Sequence, residues 1–154
     1  MINVLVWNEY AHEKTDEAVR AIYPEGIHAA VAEFLSQESD FSVSTATLDD
    51  PECGLTEETL QNTDVLIWWG HMKHASVPDE VAIRVQNAVL SGMGFIALHS
   101  AHHSKPFRRF IHQLYTVDSD NLTVLIDKRS PAVAVSDGGV NLNVRNTVQS
   151  SCGI

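Results

Sequence analysis

The chain is poor in cysteine, with only Cys53 and Cys152 among its 154 residues. The two lie far apart and form no C-x-x-C pattern, so neither a disulfide framework nor a thiolate zinc knuckle is indicated. Basic residues are scarce as well, 10 Lys and Arg against 20 Asp and Glu, for a formal net charge of −10. Affinity for nucleic acid rests on clustered Lys and Arg, so a phosphate backbone is not an expected partner, and acidic or neutral partners are left to consider. The opening Met1-Ile-Asn-Val-Leu-Val-Trp-Asn-Glu9 has no basic n-region. Its apolar run is too short for a signal peptide or a membrane span, which makes a reducing cytoplasm the expected location. No internal repeat or low-complexity segment interrupts the chain. Its length suffices to close one core without disulfide or metal staples.

What is present is an alternation of short apolar runs and helical patterns. Residues 2–7 form a β-branched and aromatic run ending at Asn8-Glu9, as a buried parallel strand does. From Thr15 the apolar residues Ala18, Val19, Ile22, Ile27, Val31, Phe34 and Leu35 recur at helical spacing, broken at Pro24-Glu-Gly26. This predicts a short helix, a kink and a longer helix. Residues 41–48 read as a second strand nearer an edge, and residues 49–54 as a turn-rich loop. Leu55-Thr-Glu-Glu-Thr-Leu60 reads as a short capped helix. Residues 64–69 give a third strand, 78–90 a helix and 94–98 a fourth strand, with a further helix opening at Ser104-Lys-Pro106. Strands and helices alternating at these lengths imply an α/β doubly wound parallel sheet of flavodoxin-like layout.

Two of the strands run straight into histidines: Asp64-Val-Leu-Ile-Trp-Trp-Gly-His-Met-Lys-His74 and Gly94-Phe-Ile-Ala-Leu-His-Ser-Ala-His-His103. In open α/β sheets chemistry gathers at the carboxyl ends of strands. His71, His74, His99 and His102 are therefore candidate ligands for a divalent metal such as zinc, with Glu9 or Glu13 as an oxygen donor. Without a metal, His71, His99 and His102 can serve as an acid/base set near neutral pH. Ser100 sits where a strand-to-helix turn exposes a nucleophile, with His71 or His99 as its base. Trp68 and Trp69 point to opposite sheet faces, so at most one of them lines a pocket and stacks on a sugar. Lys105 near a helix start can hold an anionic group.

After about residue 112 the texture changes, and residues 113–154 contain no His, Trp or Glu. Residues 122–126 and 132–135 have strand character, and Asp137-Gly-Gly139 can turn residues 132–135 into a hairpin with residues 140–144.

The segments Val6-Trp-Asn-Glu-Tyr10 with His12-Glu13, Ile22-Tyr-Pro-Glu-Gly-Ile-His28, Thr63-Asp-Val-Leu-Ile-Trp-Trp-Gly-His-Met-Lys-His74 and Leu98-His-Ser-Ala-His-His-Ser-Lys105 together resemble the trehalose-utilisation (ThuA-like) family. The resemblance covers about residues 2–111. It implies a class I glutamine amidotransferase-like fold, carbohydrate metabolism, and a small-molecule sugar related to trehalose-type disaccharides or keto-sugars as substrate. Family members continue with further strands and helices, whereas residues 113–154 show no such match. The expected organisation is thus a ThuA-like domain over 1–112 and a divergent tail over 113–154, with a truncated sheet prone to self-association. Glutamine hydrolysis in that fold uses a Cys at the elbow; Ser100 stands there, and amidotransferase activity is not expected. The alternative to an enzyme is a non-catalytic carbohydrate-binding or interaction module, or an inactive truncated copy.

Overall fold

A computed structural model describes residues 1–114 and 133–136. Its sheet contains β1 (Ile2–Asn8), β2 (Phe41–Thr47), β3 (Val65–Trp69), β4 (Gly94–Leu98) and β5 (Val133–Ser136), all parallel, in the order β2-β1-β3-β4-β5. That order is the flavodoxin-like doubly wound one. Around the sheet lie α1 (His12–Thr15), α2 (Glu17–Ile22), α3 (Ile27–Leu35), α4 (Glu57–Gln61), α5 (Asp79–Leu90) and α6 (Lys105–Leu114). Among the described residues no helix is long and apolar enough to cross a membrane.

The alternation of side chains along a strand sorts β1 and β3 into two cores. Leu5, Trp7, Leu66, Trp68 and Phe95 pack on one face against Val81, Val85 and Val89 of α5. The i, i+4 spacing of those three valines gives α5 a single apolar stripe. Val4, Val6 and Ile67 face the other way, against Val31, Ala32 and Leu35 of α3. β1 is covered on both faces and reads as a continuous apolar run for that reason. β2, at the edge, is largely part-exposed.

Local chemistry sets the helix starts. The Asp16 carboxylate accepts the N–H groups of Ala18 and Val19 at the start of α2, and Thr56 Oγ1 accepts that of Thr59 in α4, as N-caps do. The expected kink falls between α2 and α3, where Gly26 holds φ at +94°. A side chain there would meet the His28 ring at 2.4 Å, so only glycine fits.

The strand character expected at residues 132–135 falls on β5, Val133–Ser136, which adds to β4 in parallel, pairing Phe95 with Val133 and Leu98 with Ser136. The exposed edge of β4 offers a row of backbone donors and acceptors, and a parallel partner satisfies them. Residues 122–126 and the second arm at 140–144 lie outside the described residues.

Candidate functional site

Because the chain moves to opposite sides of β1 to form β2 and β3, a crevice opens above their carboxyl ends, the usual ligand position in such sheets. The loops after β1 and β3 meet there. Glu9 N donates to Trp69 O at 3.2 Å. The Glu9 carboxylate, only 4% exposed, accepts Met72 N–H at Oε1 and Lys73 N–H at Oε2, each at 2.8 Å. Glu9 is thereby committed to backbone, and its role is to hold the turn that carries His71.

Beneath it lies a buried polar network. Asn8 is fully buried, and its Nδ2 donates to Glu13 Oε1 at 2.7 Å and to His28 Nδ1 at 3.0 Å. Asn8 Oδ1 accepts Tyr10 N–H at 2.9 Å, and Glu13 Oε1 also accepts Ile27 N–H at 2.9 Å. These bonds fix the β1–α1 turn, in which Tyr10 takes the left-handed φ of +47°. Burial pushes the Glu13 carboxyl up, but the N–H groups, Asn8 and the neighbouring His28 outweigh it and leave it below the ordinary range. Burial holds the His28 imidazole below its ordinary value, against the pull of Glu13 and Asp50. Since His28 Nδ1 accepts from an amide N–H, that ring is neutral with its proton on Nε2.

Of the predicted catalytic residues, His71 and His99 converge on Ser100, whereas His102 does not. Its Oγ lies 2.6 Å from His71 Nδ1, 2.9 Å from His99 Nδ1 and 3.2 Å from Gly70 O. Ser100 N–H donates to His99 Nδ1 at 2.7 Å. That nitrogen therefore carries a lone pair, and His99 is a neutral imidazole with its proton on Nε2. The turn after β4 is a 3-10 turn over His99–His103, and α6 starts only at Lys105. Its left-handed residue is His99, with φ +53°, not Ser100. Such backbone in a non-glycine residue costs of order 1–3 kcal/mol and clusters at functional sites. The elbow thus has a histidine at its apex, and Ser100, one residue on, is turned back toward the β3 loop.

His71 and His99, with ring centroids 5.2 Å apart, line a cleft of about 640 Å³ together with His12, Trp69, Leu98 and the apolar side of α2 and α3. The His12 ring stands 5.0 Å from His71, and the Trp69 ring 5.2 Å from His99. Trp69 is part-exposed along this cleft. Trp68, a candidate sugar contact in the sequence, is 1% exposed and stacks on Trp7 at 3.9 Å, so it serves the core. Lys105 Nζ donates to Val77 O at 2.7 Å and pairs with Asp79 at 2.8 Å. It ties α6 to the start of α5 and does not face the cleft lining.

The four candidate metal ligands do not meet. His102 donates Nδ1–H to His99 O at 3.1 Å. His74 lies beside Glu9 and Gly70, with its ring 6.0 Å from that of His103. Both ring nitrogens of His74 are buried with no hydrogen-bond partner among the described residues. Burial lowers its pKa, Glu9 opposes this, and His103, His71 and His102 add to the lowering. Among the described residues no group of three or more His, Cys, Asp or Glu is arranged to hold a metal ion.

Sequence reasoning missed the roles of Asn8 and His28, which contact across about twenty residues of chain, and of His12, whose place opposite His71 depends on the α1 turn. The polar residue closing β1 was the available signal for Asn8.

A doubly wound α/β domain with a histidine–serine centre above its strand ends is the class of protein these features define. The sequence profile of the ThuA family, described as trehalose utilisation, matches residues 3–142. The chain belongs to that family. The matched span runs beyond residues 2–111, where the motif resemblance was read, and includes β5. No curated protein matches the chain in a sequence search.

Proposed function

We propose that this chain acts on a trehalose-type disaccharide or keto-sugar through metal-free acid/base chemistry, with His71 as the base and His99 as the donor. The observation that carries this reading is the 2.6 Å contact between His71 Nδ1 and Ser100 Oγ, which holds one imidazole against a turn that fixes the tautomer of the other. Imidazoles titrate near neutrality and suit proton transfer there. On a keto-sugar, His71 removes the proton next to the carbonyl while His99 Nε2–H stabilises the charge growing on the carbonyl oxygen. The same proton returns to either carbon of the enediol, and atoms balance without a co-reactant. Trp69 offers the cleft an indole face for the C–H face of a sugar ring. The free, buried Cys53 supports a reducing cytoplasmic setting.

Calorimetric titration of trehalose and of its oxidised keto form, alongside turnover assays, tests the reading. Wild type binds and turns over the keto form, Trp69→Ala weakens binding, and His71→Ala or His99→Ala abolishes turnover. Binding with no turnover in wild type assigns the chain instead to a carbohydrate-binding module, and neither binding nor turnover removes the sugar altogether.

A further inference from the structure

We propose that Ser100 is a nucleophile and that the cleft hydrolyses esters of neutral, apolar acyl groups. This inference shares His71 and His99 with the acid/base centre above, but it does not need a sugar substrate and stands on Ser100 itself.

A serine hydroxyl has one proton to give, and three acceptors surround Ser100 Oγ. Gly70 O is the most distant, at 3.2 Å. The lone pair of His99 Nδ1 is already taken by Ser100 N–H at 2.7 Å. His71 Nδ1, at 2.6 Å, is the shortest contact and belongs to a ring with no competing bond at that nitrogen among the described residues. With His71 protonated on Nε2, its Nδ1 accepts the hydroxyl proton in the nucleophile–base geometry of covalent catalysis, Gly70 O being the other acceptor in reach. The contact forms at a turn in which His99 takes the left-handed φ of +53°, strained backbone of the kind that clusters at functional sites.

The substrate class follows from the walls of the cleft that His71 and His99, the two rings bonded to Ser100, line beside it. Ile27, Val31, Phe34, Leu98 and Trp69 give the cleft an apolar side, and its described lining contains no Asp, Glu, Lys or Arg. An uncharged hydrocarbon acyl group buries apolar surface there, while a carboxylate or ammonium finds no counter-charge.

In the reaction, Ser100 Oγ adds to the ester carbonyl carbon as its proton passes to His71 Nδ1. The carbon–oxygen bond to the alcohol then breaks, and the leaving alkoxide takes the proton from His71. Water attacks the acyl-serine, gives its proton to His71, and releases the acid as Ser100 Oγ departs and is reprotonated. Ester and water are consumed; acid and alcohol are formed.

The test uses the full chain with a fluorophosphonate probe and with p-nitrophenyl butyrate. Intact-mass and peptide analysis of wild type should show one adduct, on Ser100, and butyrate hydrolysis should fall at least about a hundredfold in Ser100→Ala and in His71→Gln. Circular dichroism confirms that both variants fold; should either fail to, the site of the wild-type adduct decides alone. An unlabelled Ser100 in folded wild type, or hydrolysis unchanged in folded Ser100→Ala, overturns the proposal. Deuterium exchange into a keto-sugar reads the acid/base reading separately, so either can fail while the other stands.

Discussion

Glu9 Oε2 accepts the backbone N–H of Lys73 at 2.8 Å, across 64 residues of chain. With the matching bond from Met72, this makes one buried carboxylate the clasp between the loops after β1 and β3. Removing it strands two N–H groups near the strand ends. Glu9→Ala should cost about 1–3 kcal/mol of stability, read from urea unfolding. Glu9→Gln keeps one acceptor and should fall between. Because the clasp carries His71, both variants should also broaden the His71 imidazole signals in NMR spectra. Sharp, unmoved signals in Glu9→Ala would show that the β3 loop holds itself.

The Asn8–Glu13 pair makes a second prediction. Glu13→Ala leaves the Asn8 amide and Ile27 N–H without their common acceptor in the interior. A loss of about 2–4 kcal/mol is expected, again from denaturant midpoints at constant m-value. Glu13→Gln should lose less. A Glu13→Ala protein as stable as wild type would mean that water replaces the carboxylate.

The two adjacent tryptophans should separate stability from binding. Trp68→Ala opens a cavity under the strand ends and should cost about 3–5 kcal/mol, measured by chemical unfolding. Trp69→Ala should cost clearly less and weaken ligand binding in the cleft. Equal stability losses for both would contradict the assignment of Trp68 to the core and Trp69 to the cleft.

Buried, neutral histidines give the pH dependence its sign. Burial lowers the pKa of His28 and, more exposed to neighbouring charges, of His74. Between the folded value and the ordinary value of about 6.5, the unfolded chain binds protons that the folded chain does not. Stability therefore falls as pH drops through that window and levels off below the folded values. Glu13, whose pKa is also lowered, adds its loss only further down, below about pH 4.3. Urea midpoints should thus decline as the pH falls through about 6.5, with a shallower slope in His28→Gln. A flat profile in wild type would contradict the neutral state of these rings.

Much of this architecture was legible in the chain because parallel strands leave continuous apolar runs. Val4 to Trp7 and Leu66 to Trp68 are buried, so their pattern announces them, and the histidines that follow β3 and β4 mark the candidate site. The opposite facing of Trp68 and Trp69 follows from strand alternation alone. What the sequence hides are relationships that exist only after folding. The use of Glu9 as a clasp depends on where the β3 loop arrives, and the Asn8–His28 bond depends on the Gly26 bend. Nothing local distinguishes His99 from Ser100 as the left-handed residue, since either could close a turn. The joining of Val133–Ser136 to the edge of β4 is likewise a relationship that exists only in the folded sheet.

The proposed acid/base centre pairs His71 with His99 in the cleft. It is tested most directly by incubating the protein with the keto form of trehalose in deuterium oxide and following the protons next to the carbonyl by NMR. Wild type should accelerate exchange above the buffer rate, and His71→Ala or His99→Ala should reduce it by about 10²–10⁴-fold. Exchange at the buffer rate in folded wild type, or unchanged exchange in both variants, would contradict it.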